Sequence, residues 1–114
     1  MQSKTNIKTE LKGSIGIISL SGDITDALEQ TFLNAYHELT KSGAAKILLR
    51  FTDDCFINSS GIAIIILVVS QAQDARQNVG AVGLSPHFQK IFEMIGLTDY
   101  LIIFQGEDAA MKLL

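Results

Sequence analysis

The chain is poor in the residues that staple, punctuate or bend a fold. It has one cysteine, one proline and no tryptophan among 114 residues. A lone thiol, Cys55, excludes a disulfide framework within the chain and a CxxC metal knuckle. There is no low-complexity tract and no Pro- or Gly/Ser-rich linker. Positive charge is also scarce: nine basic residues face twelve acidic ones, for a net charge of −3. The lysines are scattered from Lys4 to Lys112 and form no stripe, so there is no electrostatic footprint for nucleic acid. The longest apolar run, residues 62–69, falls far short of the ~20 residues a membrane-spanning helix needs. The first residues, MQSKTNIKTELKG, hold no apolar segment of the kind a secretory signal carries. These absences predict a soluble cytoplasmic protein with no direct membrane insertion. An apolar content of 47% argues against disorder, and the length suits a single domain over residues 1–114.

The pattern that is present alternates between two periods. Residues 7–12 alternate apolar and polar up to Gly13, and residues 15–20 form a β-branched run. With Lys-Gly-Ser between them they predict a hairpin. From Asp26 to Lys41 the apolar residues Ala27, Leu28, Thr31, Phe32, Ala35, Tyr36 and Leu39 recur at steps of three and four, which predicts an amphipathic helix. Thr25 or Asp26 can cap it, and Lys41 and Gly43 close it. KILLRF, residues 46–51, reads as a buried strand. Residues 79–84 and 101–104 read as two more. SPHFQKIFEMIGL opens with Ser85 as cap and Pro86 at the first helical position, presents Phe88, Ile91, Phe92 and Ile95 on one face, and stops at Gly96. EDAAMKLL reads as a short final helix.

Within the stretch DDCFINSSGIAIIILVVSQAQ, residues 62–69 are ambiguous on propensity alone, because their four isoleucines and two valines favour a strand. Its context favours a helix. Asn58 or Ser59 can accept hydrogen bonds from the orphan amides of a helix start. SQAQDARQN continues the segment with no glycine or proline until Gly80, and Asn78 and Gly80 offer a stop. A helix of about 18 residues from Ser60 follows, apolar all round in its first half and therefore covered on more than one side. The order ββαβαβαβα predicts an α/β fold: a mixed, mostly parallel central sheet with an N-terminal antiparallel hairpin and about four helices.

SLSGDIT, KILLRFTDDCFINSSGIAIIILV and LSPHFQKIFEMIGLTDYLIIF, taken with this element order, resemble the STAS domain of the bacterial anti-sigma factor antagonists. The resemblance covers nearly the whole chain. It implies a STAS-like fold and a protein that binds an anti-sigma factor, a serine-protein kinase of the GHKL type, and so regulates transcription. It implies Ser59 as phosphoacceptor and Asp23, Thr25, Asn58, Ser60, Gly61 and Ile62 as partner-binding residues. It implies no cofactor. Two positions depart from the family pattern. The usual Asp-Ser-Ser-Gly reads Asn58-Ser59-Ser60-Gly61 here, and Thr25 stands where the turn often carries Asp. STAS-like domains also serve as constitutive scaffold subunits of stress-signalling complexes or of a lipid-transport ABC complex, which is the alternative expectation.

Physical chemistry gives the Ser-Ser-Gly start a meaning of its own. A helix N-terminus presents unpaired amides and the positive end of the helix dipole, so a phosphate on Ser59 would be favoured there. It would add about −1.5 to −2 charges and three acceptor oxygens. The fold would tolerate it, and the cost would fall on a docked partner. The same residues have plainer readings. Ser59 suits a helix cap, Ser60 a first-turn spacer, and Asn58 a cap or turn residue. Asp23 reads equally as a solvated turn residue or a partner contact. Asp53 and Asp54 read as a solvated loop pair, Cys55 as a half-buried structural thiol, and His37 as a surface histidine. No metal site is expected, because His87 has no second ligand cluster around it. No enzyme is expected either. The serine lacks the Gly-x-Ser-x-Gly elbow of a hydrolase, and no G-x-x-x-x-G-K-[ST] loop occurs.

Overall fold

The computed structural model describes residues 6–114; residues 1–5, Lys4 among them, lie outside the described residues. In chain order the strands and helices are β1 (Asn6–Lys12), β2 (Ile15–Ser21), β3 (Asp23–Ile24), α1 (Glu29–Lys41), β4 (Lys46–Phe51), β5 (Phe56–Ile57), α2 (Ser59–Asp74), β6 (Asn78–Val82), α3 (Pro86–Met94), β7 (Ile102–Phe104) and α4 (Glu107–Leu113). Single 3-10 turns precede α1, at Asp26–Leu28, and β7, at Leu97–Asp99.

Five strands form one sheet in the order β1-β2-β4-β6-β7. β1 and β2 pair antiparallel, with Leu11 opposite Gly16 and Ile7 opposite Leu20. β2, β4, β6 and β7 are parallel to one another. The predicted hairpin, mixed sheet and four helices are therefore present. Side chains alternate between the two faces of each strand. One face presents Ile18, Leu20, Ile47, Leu49, Phe51, Val79 and Ala81 to α1, α2 and α3, and this is the main core. The other presents Ile15, Ile17, Leu48, Val82 and Phe104 to Ala110 of α4 and to Leu114. Arg50, on that second face, ties the layers. Its guanidinium donates to both carboxylate oxygens of Glu107 at 2.9 Å, to Glu10 at 3.0 Å and to Ser19 Oγ at 2.9 Å.

The segment with strand propensity is a helix. Its buried residues Gly61, Ile64, Ile65, Val68, Val69 and Ala72 lie on one stripe, while Ala63, Ile66 and Leu67 are exposed, so the apolar first half is covered on one side only and not on more than one as expected. It begins at Ser59 and ends at Asp74, so it is shorter than expected. The stop is Arg76 rather than Asn78 or Gly80. Arg76 takes the left-handed conformation at φ 60°, and the Gln77 amide returns to the Ala72 carbonyl at 2.8 Å. Gln77 holds that turn. Its amide nitrogen donates to Thr40 Oγ1 and the Ala44 carbonyl, and its carbonyl accepts from the Tyr36 hydroxyl at 2.6 Å.

Four other boundaries differ from expectation. The helix expected from Asp26 starts as a 3-10 turn capped by Thr25, whose hydroxyl accepts from Ala27 N. The strand expected over residues 79–84 ends at Val82, because Gly83 turns out at φ 85°, where an added β-carbon would run into the Phe51 carbonyl. The strand expected from Leu101 begins at Ile102. Ile95 leaves the apolar face of α3: it follows the last helical residue and is 48% exposed, while Phe88 and Phe92 are buried.

Candidate functional site

β3 and β5 were not anticipated from the sequence, and they build the site. Asp23 pairs with Phe56 and Ile24 with Ile57 in a two-residue parallel ladder, separate from the main sheet. The ladder clips the loop leaving β2 to the loop leaving β4, at the carboxyl ends of those strands. Ligand sites of open α/β sheets gather at that end. Asn58 N extends the clip by donating to the Ile24 carbonyl at 3.2 Å.

α2 springs directly from this clip. Asn58, in extended conformation, caps it: its side-chain oxygen accepts from Gly61 N at 2.8 Å, and its carbonyl accepts from Ile62 N at 2.9 Å. The cap is therefore Asn58 and not Ser59. A helix leaves its first four amides without intrahelical partners. With Gly61 served by the cap, the amides of Ser59 and Ser60 stand at the positive end of the dipole.

The structure brings all seven residues implied by the resemblance to this corner, but they do different things. Ser59 is exposed at the first helical position. Ser60 is half-buried and faces the start of α1. Ile62 is half-buried and packs on the main core. Asp23 is half-buried on β3, and Thr25 caps the turn before α1. Gly61 is buried, and the space left by its missing side chain is filled by the chain itself. A β-carbon there would lie 2.9 Å from the Ile24 carbonyl carbon and 2.9 Å from Ile57 Cγ2, and closer still to the Ile24 oxygen. The close approach that this glycine permits is thus internal.

The surroundings are acidic. Asp53 and Asp54 are exposed on the β4–β5 loop. The Thr52 hydroxyl donates to Asp54 and holds its carboxyl below the usual carboxylate range. Cys55 is half-buried with its Sγ donating to the Leu20 carbonyl at 3.1 Å, and burial pushes its thiol above the usual value. A shallow groove lies between the start of α1 and α2, lined by Asp26, Glu29, Ser60, Ala63, Ile64 and Leu67. Beside the helix start Phe56 is 57% exposed, with its ring edge-to-face on Phe88 at 5.9 Å. Neither Phe56 nor the groove was singled out from the sequence. An aromatic residue in the loop between a strand and a capped helix was the available cue for Phe56.

The histidines lie apart from Ser59 in the packing. His37 Nε2 is 2.8 Å from Gln71 Oε1, across α1 and α2. His87 stacks edge-on against Phe88. Among the described residues no group of three or more His, Cys, Asp or Glu could hold a metal ion, and no helix is long and apolar enough to cross a membrane.

Solved structures share this architecture. An anti-sigma factor antagonist from Mycobacterium paratuberculosis superposes with a TM-score of 0.79 at 15% identity, over 96% of this chain and 92% of that one. The Bacillus cell fate determinant SpoIIAA in its phosphorylated form superposes with a TM-score of 0.69 at 15% identity, over 96% of this chain and 100% of that one. SpoIIAA in its unphosphorylated form gives 0.71 at 16% identity, over 94% and 96%. At these identities the likeness shows the fold. No curated protein matches the chain. A family model described as "Mlab, STAS domain" matches residues 7–104, which include the clip, α2 and every candidate site residue. The chain belongs to the STAS domain family.

Proposed function

We propose that this chain is an anti-sigma factor antagonist: a binding protein, not an enzyme, whose recognition face is the β3–β5 clip and the start of α2, and whose switch is phosphorylation of Ser59. Unphosphorylated, it binds a GHKL-type anti-sigma factor kinase in the cytoplasm and releases the sigma factor. The observation that carries the reading is the position of Ser59: exposed, first in the helix, and relieved of capping by Asn58. The structural neighbours that bear the antagonist name support the role.

The physics of the switch follows from that position. The free amides and dipole of α2 accept the phosphate, so the isolated domain stays folded. A partner lying over the helix start meets new bulk and charge. Burying a charge without a partner costs about 3–5 kcal/mol, which weakens binding roughly a hundredfold or more. Asn58 keeps the helix cap that a carboxylate would supply, because its amide oxygen accepts from Gly61 N.

The test is capture of the candidate kinase by the wild-type chain, Ser59→Ala and Ser59→Asp, with intact-mass and peptide mapping for phosphate. Binding by wild type and Ser59→Ala but not by Ser59→Asp is expected, with phosphate on Ser59. Equal binding by all three would end the switch.

The description of the matching family model favours a second reading, a constitutive subunit of a lipid-transport ABC complex. Copurification separates the two: membrane ABC subunits bound regardless of Ser59→Asp support the transport role, and a soluble kinase supports the antagonist.

A further inference from the structure

The groove between the start of α1 and α2 points to the chemistry of the partner at this face. Its lining divides cleanly. Ala63, Ile64 and Leu67 form an apolar strip, with Leu67 39% exposed, and Asp26 and Glu29 form one acidic rim. None of the six lining residues is basic. Ser60, Ala63, Ile64 and Leu67 are spaced three and four apart, so they share one face of α2. Ser59, Ile62 and Ile66 run along the adjacent face, where Ile66 is 43% exposed.

We infer that this groove seats a basic amphipathic helix of the partner. Leucine- or isoleucine-type side chains of that helix cover Leu67 and Ala63, and one or two arginines or lysines pair with Asp26 and Glu29. The inference rests on the proposed docking face and adds what that face selects. The basic groups engage the α1 side of the groove. A phosphate on Ser59 falls on the neighbouring Ser59–Ile62–Ile66 strip, outside the groove.

Charge complementarity of this kind gives specificity and speed of association more than raw affinity. The groove therefore discriminates between two helices of equal hydrophobicity and opposite charge, and its association rate falls as salt is added.

The experiment uses the full chain, isotope-labelled, with two synthetic amphipathic helical peptides. Both carry the same leucine face, flanked by arginines in one and glutamates in the other. The arginine peptide is expected to shift the amides of residues 26–29 and 60–67 and to bind at least about tenfold more tightly than the glutamate peptide. The double variant Asp26→Asn, Glu29→Gln should erase that preference while leaving the amide spectrum of the fold intact. Failure of the arginine peptide to bind, equal binding of both peptides, or shifts centred outside residues 26–29 and 60–67 would overturn the groove. The Ser59 test is independent. Kinase capture that responds to Ser59→Asp, with no arginine preference here, removes the groove and keeps the switch. The converse removes the switch and keeps the groove.

Discussion

The Ile24 carbonyl occupies the place where any side chain on residue 61 would have to begin. It also accepts the amide of Asn58, the residue that caps α2. One backbone oxygen therefore fixes both the start of the helix and its distance from β3.

Gly61→Ala follows directly. The obstructing atoms are backbone and a buried Ile57 methyl, and neither yields easily. Overpacking of this kind costs about 1–3 kcal/mol. Denaturant unfolding should show that loss, and amide exchange should show β3, β5 and the first turn of α2 loosened before the rest.

Asn58 separates capping from charge. Asn58→Ala leaves Gly61 N without its acceptor and should cost about 1 kcal/mol. Asn58→Asp keeps the acceptor and adds a negative charge at the positive end of α2, worth about 0.3–1 kcal/mol in its favour. Unfolding midpoints of the three proteins at neutral pH should therefore rank Asp at or above Asn, with Ala lowest.

Tyr36 carries an alkaline signature. Burial pushes its hydroxyl above the ordinary value of 10.0, with a smaller lowering by the Thr40 hydroxyl and a further raising by Asp74. The folded state then holds its proton where the unfolded chain has lost it. That contribution to stability is complete below pH 10 and disappears as pH rises through the raised folded value. Tyr36→Phe removes this part of the alkaline decline. It also leaves the buried Gln77 carbonyl without its donor, at a cost of about 1–3 kcal/mol at neutral pH. Unfolding followed from pH 8 upward distinguishes the two effects.

Arg50→Met tests the hold on α4. Hydrogen bonds to Glu107 raise the guanidinium pKa first, against a lowering by burial, so the guanidinium stays charged. The variant keeps the methylene packing and loses the bonds to Glu107, Glu10 and Ser19. A loss of about 1–2 kcal/mol is expected, reduced in high salt, with amide exchange quickened in α4 and little changed in α2.

Much of the fold was legible because its signals are local. Alternation marked the β1–β2 hairpin, Ser85-Pro86 marked the start of α3, and the polar entry Asn58-Ser59 outweighed the strand propensity of the isoleucines in α2. What escaped depends on contacts distant in sequence. The β3–β5 ladder is two residues long and exists only because two loops meet. The stop at Arg76 has no glycine to announce it, since Gln77 is held by Tyr36, Thr40 and Ala44. At the site, the polar start of α2 was legible, but the cap was read as Asn58 or Ser59 and the helix one residue late, so Ser59 was not placed inside it. The acidic rim was not legible, because Asp26 and Glu29 become neighbours of Ser60 only when α1 packs beside α2. The resemblance implied Gly61 as a partner-binding residue, and only the fold reveals that its neighbour is Ile24.

The short ladder between Asp23–Ile24 and Phe56–Ile57 makes one rim out of two loops. A macromolecule that grips only the Phe56 side also feels where Asp23 sits, so surface changes on either loop act on a shared frame. Specificity can in this way be retuned from residues that never touch the serine, while the coil that displays it keeps its pose.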